Sequence, residues 1–387
     1  MGLHQNRLRV SLVCSILHPR YGGPASVVDA LERYLSTRAD ISIWGRVGKG
    51  EEEEVRTRYP HSRLFPARFP DRWFGCGGLH RRLLGEASGI DVLHAHMLWD
   101  YPTYVTWRVA KKRHIPFVVT PHGMLNDPWR RRGLHKRLYK HLILRRMCRD
   151  VSCMQALNER ERDALKEFGV KCPIEVIPNG VDPVLLTMTR SRKHLEREFP
   201  ELKGKRCLLF LGRLWKEKGL DLLLPAWAAL REYHRDWTLI LAGPDYRGYA
   251  AELEQHAKKV GSVLMVGMVA GSRKNALLAG ADVFTLPSRS EGFSMALLEA
   301  LASGLPAVYS RECNFPDAAQ AGAGIETDHQ VGALTEGLDR VLSMDDAKRI
   351  EMGYAGRKLV AGNYTWDVIA DSLMNMYQRI SNHHPGI

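Results

Sequence analysis

The apolar positions of this chain come in short runs separated by amphipathic stretches, and that alternation repeats almost from end to end. The run 7–16 predicts a first strand, and behind Tyr21-Gly22-Gly23 the spacing predicts a helix over 24–35, with Pro24 suited to its first turn. Strands follow at 90–95, 116–120, 150–157 and 174–177, alternating with helices at 104–112, in the basic stretch after Arg130, and at 159–168. The turn cluster Ile177-Pro-Asn-Gly-Val-Asp-Pro183 then interrupts the rhythm. It restarts with strands at 206–211, 238–241, 263–266, 281–286 and 306–309, helices at 220–232, 250–260 and 274–279, and a helix from about Ser294. Two helices close the chain, at 346–360 and 366–380. Strand followed by helix is the pattern of a parallel, doubly wound sheet, so the expectation is an α/β protein of two Rossmann-like domains, 1–183 and 184–365. The acidic run Glu51 to Glu54, set among glycines, reads as a solvated connection without chemistry.

A length of 387 residues supports that division, because it exceeds what one core usually sustains. With 45% hydrophobic and 26% charged residues the composition is that of a globular protein, and no apolar run approaches the roughly 18 residues of a membrane span. The first stretch has the basic start and apolar middle of a signal peptide but no small-residue cleavage site. Met1-Gly2 resembles a myristoylation start, yet Asn6 stands where Ser or Thr is wanted. Seven scattered cysteines without a Cys-x-x-Cys pair point to a reduced, cytoplasmic protein. His94-Ala-His96 sets two imidazoles on one strand face, but no third ligand is spaced to join them, which favours a structural role over a metal.

Charge changes the picture more. Of a net +13, +12 lies in the residues up to Asp182. The run from Arg130 to Arg149 holds nine cations and no acid, which suggests an anionic partner such as a membrane surface, a polyphosphate or nucleic acid. On a helix Leu134, Leu138 and Leu142 share a face, but Arg145 and Arg149 fall on it as well, so a solvated basic face reads equally well.

Several strand-end loops carry the residue types a sugar diphosphate needs. Gly22 and Gly23 offer backbone donors at a helix N-terminus. In Gly212-Arg213-Leu-Trp-Lys-Glu-Lys218-Gly219, cations leave a strand and precede a helix, where Arg can fork onto phosphate oxygens and Lys supplies a point charge. Thr120-Pro121-His122-Gly123 puts a histidine among turn formers, a poor setting for a core histidine. Glu291 and Glu299, eight positions apart, offer acceptors for hydroxyls, one on a loop and one inside a helix. No Asp-x-Asp occurs, so the usual carboxylate clamp for a metal on a nucleotide diphosphate is missing and the cations are expected to take its place.

These motifs, with Pro-His-Gly-Met, Ile-Pro-Asn-Gly-Val-Asp and Ser-Glu-Gly-Phe-Ser…Glu in this order, resemble the retaining GT-B glycosyltransferases of the GT4 group over nearly the whole chain. Glu-x7-Glu is the most specific of them. The resemblance implies a GT-B fold, two Rossmann-like domains facing across a cleft, with residues 366–387 crossing back to the first. It implies that Glu291 faces the donor sugar, with the backbone of Gly292, Phe293 and Ser294 near the sugar or diphosphate. Glu299 would take the ribose, and Arg213 and Lys218 the diphosphate, joined by Gly22 and Gly23. Lys216 competes with Lys218, the group's spacing favouring Lys218. His122 would lie beside the reacting sugar, and the base near Val266–Met268. No cofactor and no metal are implied. The expected acceptor is a glycan or lipid-linked glycan of cell-surface polysaccharide or lipopolysaccharide synthesis, worked on at the cytoplasmic face of a membrane, with no nucleic acid involved. The rival readings are a non-catalytic nucleotide-sugar or nucleic-acid binder, and a GT-B epimerase, which Glu-x7-Glu disfavours.

Overall fold

Residues 7–18, 23–68, 73–125 and 139–382 are described by the computed structural model. Their strands form two all-parallel sheets. The first contains β1 (Arg9–Cys14), β2 (Asp40–Val47), β3 (Arg63–Pro66), β4 (Val92–His96), β5 (Phe117–Thr120), β6 (Cys153–Ala156) and β7 (Ile174–Val176), in the order β3-β2-β1-β4-β5-β6-β7. The second contains β8 (Arg206–Leu211), β9 (Trp237–Ala242), β10 (Val263–Gly267), β11 (Val283–Leu286), β12 (Ala307–Ser310) and β13 (Gly324–Thr327), in the order β10-β9-β8-β11-β12-β13. Central strands such as β4, β5, β11 and β12 are buried along their whole length, as expected when helices cover both faces of a parallel sheet.

Contacts divide the chain into one unit formed by residues up to Asn179 together with those from Trp366 onward, and a second, Gly180–Thr365. In the first unit the helix Trp366–Asn382 buries Trp366, Ile369, Leu373, Met376 and Tyr377 in one cluster with Val10, Leu12, Val118 and residues of the helix Pro24–Leu35. Arg38 adds an ion pair with Asp371 at 2.7 Å. In the second unit Leu208, Phe210, Trp227, Leu239, Phe284 and Tyr309 anchor a continuous core. There Val181 N–H donates to Tyr364 O at 2.8 Å, so the segments that enter and leave this unit run side by side.

One expectation is corrected, and the structure adds elements that the sequence did not announce. The segment read as a solvated connection is the helix Glu52–Arg58, and Glu51 is buried, its carboxylate accepting from Gly48 N at 2.7 Å. Strands β2, β3 and β13 and the helices Leu79–Glu86, Arg192–Glu198, Pro316–Gln320 and Val331–Leu342 were not expected; β3 and β13 are only four residues long and carry little alternation. Within the basic run, 130–138 lie outside the described residues; Lys140–Leu144 form a π-helical turn leading into the helix Arg145–Asp150, with Leu142 exposed and Leu144, Met147 and Cys148 buried.

Candidate active site

In the second sheet the chain order reverses between β8 and β11: from β8 it runs outward to β9 and β10, and from β11 outward the other way. The loops leaving the C-terminal ends of these two neighbours emerge together, which is where ligands bind in open parallel sheets. The loops are in contact. Gly219, at φ 71°, caps the helix Leu220–Leu230, and a Cβ there would fall 1.8 Å from Pro287 O. Arg289 fastens the second loop to the first by donating its backbone N–H to Glu217 O at 2.8 Å and its guanidinium to Lys216 O and, in a fork, to Asp221 at 2.7–2.8 Å. Burial opposes ionisation of Asp221, but the Arg289 hydrogen bonds and charge outweigh it and hold the carboxyl below its ordinary value.

This clamp brings Lys218 Nζ to 2.6 Å from Glu291 Oε1. The side chains retain 18% and 10% exposure, so the pair is largely withdrawn from water while still reachable. Ser288 Oγ donates to the same oxygen at 2.6 Å, and the backbone of Glu291 is held by Asn314 Nδ2 on its carbonyl at 2.7 Å and by Glu312 O on its N–H at 3.1 Å. Lys216 instead points toward Glu252, 3.6 Å away, and over the ring of Tyr249, so of the two lysines Lys218 is the one beside Glu291. Arg213, on the same loop, is exposed and lies over the ring of Tyr246 at 5.6 Å.

From Glu291 the chain passes through Gly292 and Phe293 into the helix Met295–Ala302, capped by Ser294, whose Oγ accepts from Leu297 N at 3.4 Å. Phe293 packs edge-on against Phe315 at 5.8 Å, fixing the turn from the core side. Glu299 lies one turn into this helix, 2.7 Å from Lys274 of the helix Gly271–Gly280. Strand β10 breaks register between Met265 and Gly267, and Gly267 sits at φ 67°. Met268 beyond it is 68% exposed and lines a hollow of about 730 Å³ with Leu214, Gly243, Pro244 and Met265, whereas Val266 is half-buried and not among the lining residues.

The first sheet reverses between β1 and β4. Beside that point β4 ends in His96 and the adjacent β5 leads into His122. His122 is half-buried, at φ 54°, a left-handed conformation uncommon for a side-chain-bearing residue. Its loop is held by Glu161, fully buried in the helix Glu159–Phe168: one carboxylate oxygen accepts from Gly123 N at 2.5 Å and the other from Leu157 N at 2.8 Å. Burial pushes the Glu161 carboxyl up to about 7, against the pull of those two N–H donors. Gly23, at φ 44°, precedes the helix Pro24–Leu35; Gly22 lies outside the described residues.

His94, His96 and His122 form a stack, with ring centroids 4.4 Å and 5.3 Å apart. A directed hydrogen-bond chain runs behind it. Gln155 Nε2 donates to Ile177 O, so its Oε1 accepts from Thr120 Oγ1; the hydroxyl therefore accepts from His94 Nε2–H, and His94 Nδ1 accepts from Tyr377 O–H at 2.6 Å. His94 is thus held neutral, its value pushed down to about 3 by burial. His96 Nδ1 lies 3.0 Å from His122 Nε2, while His96 Nε2 is buried without a partner among the described residues. A buried bare lone pair costs less than a buried unpaired N–H, so His96 donates from Nδ1 and His122 accepts at Nε2. Neutral His122 then carries its proton on Nδ1, the face turned away from His96. Burial holds His122 at about 4 and His96 well below its ordinary value, so all three rings are neutral near pH 7.

Sequence reasoning passed over Glu161, Lys274, Asn314 and the Arg289–Asp221 clamp. Each acts through a partner 23 to 68 positions away, and no local pattern announces such a contact.

Residues 191–359 match the family of glycosyl transferases group 1, and residues 21–185 match glycosyltransferase family 4. The chain is 26% identical over 392 residues to GDP-mannose:cellobiosyl-diphosphopolyprenol alpha-mannosyltransferase of Komagataeibacter xylinus, covering 96% of this chain and 93% of that protein. It is 26% identical over 315 residues to alpha-monoglucosyldiacylglycerol synthase of Streptococcus pneumoniae, covering 78% and 70%. Among solved structures, Anabaena HepE in complex with UDP superposes with a TM-score of 0.80 at 16% identity, over 96% of this chain and 100% of that one. Sucrose-phosphate synthase from Thermosynechococcus elongatus gives 0.76 at 19%, over 97% and 99%. At these identities the structural likeness concerns the fold.

Proposed function

We propose that this chain, which belongs to the GT4 group of glycosyltransferases and transfers a sugar from a nucleotide-sugar donor, does so with retention of anomeric configuration and without a metal ion. The acceptor in this reading is a hydroxyl of a glycan or lipid-linked glycan of cell-surface polysaccharide or lipopolysaccharide synthesis. Two relatives support a lipid-borne acceptor, since their names include a diphosphopolyprenol and a diacylglycerol.

The observation that carries the reading is the pair Lys218–Glu291, 2.6 Å apart at the reversal point of the second sheet. It sets a cation suited to a diphosphate beside a carboxylate suited to sugar hydroxyls. Lys218 and Arg213 neutralise the charge that grows on the departing diphosphate as the bond from the anomeric carbon to its oxygen breaks. The acceptor oxygen attacks from the same face, its proton passing to an oxygen of the leaving phosphate. Glu291 accepts from sugar hydroxyls and orients Lys218; Glu299, oriented by Lys274, accepts from the ribose. The backbone of Gly292, Phe293 and Ser294 serves the sugar diphosphate, as does that of Gly22 and Gly23, and the base rests against Met268 and the backbone of Val266. His122 presents Nδ1–H to an oxygen of the transferred sugar, and its neutrality leaves the positive charge to Lys218 and Arg213.

The test is nucleotide diphosphate release from a panel of nucleotide sugars, with and without acceptor glycan, with the new linkage assigned by NMR. Acceptor-dependent release that continues in EDTA, and a linkage of the donor's configuration, is the expected result. Loss of turnover in EDTA would overturn the metal-free account, and an inverted linkage would overturn retention.

A further inference from the structure

The second unit holds a second charged hollow, at the opposite ends of the strands from Lys218 and Glu291. Arg206 opens β8, Asp282 directly precedes β11 and Pro306 precedes β12, and these residues line a cavity of about 530 Å³ with Arg190, Arg192, Arg349 and Arg357. A six-residue strand spans roughly 20 Å. This hollow is therefore separate from the candidate active site.

Its charge is unbalanced. Five guanidiniums meet three carboxylates, those of Asp282, Asp346 and Asp236. Asp346 lies beside Arg349 and 3.5 Å from Arg206, and Asp236 is 3.4 Å from Arg206. Asp282 alone serves Arg192 at 2.7 Å and Arg190 at 3.8 Å, while also accepting from Cys207 N at 2.7 Å. Arg357 has no carboxylate within ion-pair distance among the described residues. It reaches the hollow because Gly353 lets its helix, Asp346–Asn363, lie on Gly304, where a Cβ would meet Gly304 O at 2.1 Å. Its Nη2 donates to Met188 O at 2.6 Å and Ser303 O at 3.0 Å, and its Nε is buried with no partner among the described residues. Burial holds both Arg190 and Arg357 below their ordinary values, and in Arg190 the like charges of Arg192 and Arg357 push the same way. Crowding like charges and half-burying them costs stability unless an anion completes the set. Planar guanidiniums converging from several elements match the oxygens of a phosphate group, which can accept from more than one fork at once. At the rim Ile350 and Tyr354, one turn apart on the same helix, are 71% and 69% exposed.

We propose that this hollow binds a phosphate or diphosphate group, free or carried on a lipid, through Arg190, Arg192 and Arg357, with Ile350 and Tyr354 receiving whatever apolar group the phosphate bears.

Calorimetric titration of the intact protein with inorganic pyrophosphate tests it, run also on Lys218→Ala so that binding at the candidate active site is removed from the signal. Co-flotation compares neutral phosphatidylcholine vesicles with vesicles containing phosphatidic acid. Pyrophosphate binding that persists in Lys218→Ala, and weakens about tenfold or more when Arg190→Gln is added, is the expected result for a free phosphate. Flotation with phosphatidic acid vesicles alone, lost in Arg190→Gln, identifies the lipid-borne form. Asp282→Asn removes the carboxylate that competes for Arg190 and Arg192, so it should tighten binding, an outcome that misfolding cannot mimic. If Lys218→Ala binds neither probe, or if Arg190→Gln and Asp282→Asn both leave binding unchanged, the proposal is overturned.

Discussion

Lys218 and Glu291, 73 positions apart in sequence, share a 2.6 Å ion pair that no other carboxylate or cation of the described residues joins. Because both side chains are mostly withdrawn from water, removing one leaves the other an isolated charge. Such a loss costs about 3–5 kcal/mol for fully buried pairs and less at this partial exposure. Lys218→Met and Glu291→Gln should each lower the melting temperature more than the double variant does. Thermal unfolding of the three proteins checks this. Strictly additive losses would show that the two groups are not coupled in solution.

Lys218→Ala should also lower kcat/KM by about 10²–10³, the usual effect of deleting one donor to a developing anion. Glu299→Ala should raise the KM for the donor with a smaller change in kcat, because a ribose contact binds ground and transition states alike. Steady-state kinetics separates the two. A fall in kcat alone for Glu299→Ala would remove it from the ribose.

Glu161→Gln should weaken the His122 loop. The carboxylate accepts from two backbone N–H groups, and a Gln amide turns an NH2 toward one of them, leaving it unpaired at a cost of about 1–3 kcal/mol. Its folded value, about 7, lies above the ordinary 4.5, so between those values the folded state holds the extra proton and Glu161 makes stability fall as pH rises. Melting curves from pH 4.5 to 7 should show that component disappear in Glu161→Gln.

His94 acts in the opposite sense. Its value of about 3 lies below the ordinary 6.5, so the unfolded chain binds the proton first and stability is lost as pH falls from 6.5 toward 3. His96 and His122 add to the same trend. The melting temperature should therefore drop on acidification below pH 6.5, and His94→Gln should flatten that drop while lowering the plateau. An unchanged slope in His94→Gln would mean that other groups dominate acid unfolding.

Gly219→Ala should be severe for a single methyl group. The Cβ would fall 1.8 Å from Pro287 O, and φ 71° already disfavours a side chain there. The loops bearing Lys218 and Glu291 must separate, so turnover should collapse together with a melting point lowered by several degrees. Turnover near wild type would mean that their contact is dispensable.

The architecture was legible because its central strands are unbroken apolar runs, as in Cys207-Leu-Leu-Phe-Leu211, and each is followed by an amphipathic stretch. Strand β3, four residues ending in Pro66, has no such signature and forms only because β2 offers it an edge. The same contrast holds at the site. Glu291 and Lys218 stood out in turn-rich loops, where a charged residue needs a reason. Glu161 sits in Glu-Arg-Glu-Arg-Asp, where nothing distinguishes the one buried acid from its solvated neighbours; the folded positions of Leu157 N and of Gly123 N, 38 residues earlier, single it out.

The helix Trp366–Asn382 finishes the core that β1 begins, with Tyr377 seated on His94 at its centre. During synthesis, then, the first 179 residues must leave the ribosome with an apolar groove open, and wait through the whole of the second unit for the piece that closes it. The half of the molecule made first is the last to become native. A truncation shortly before Trp366 would spare the second unit's own contacts and condemn the first, although the break would fall beyond every strand of both sheets.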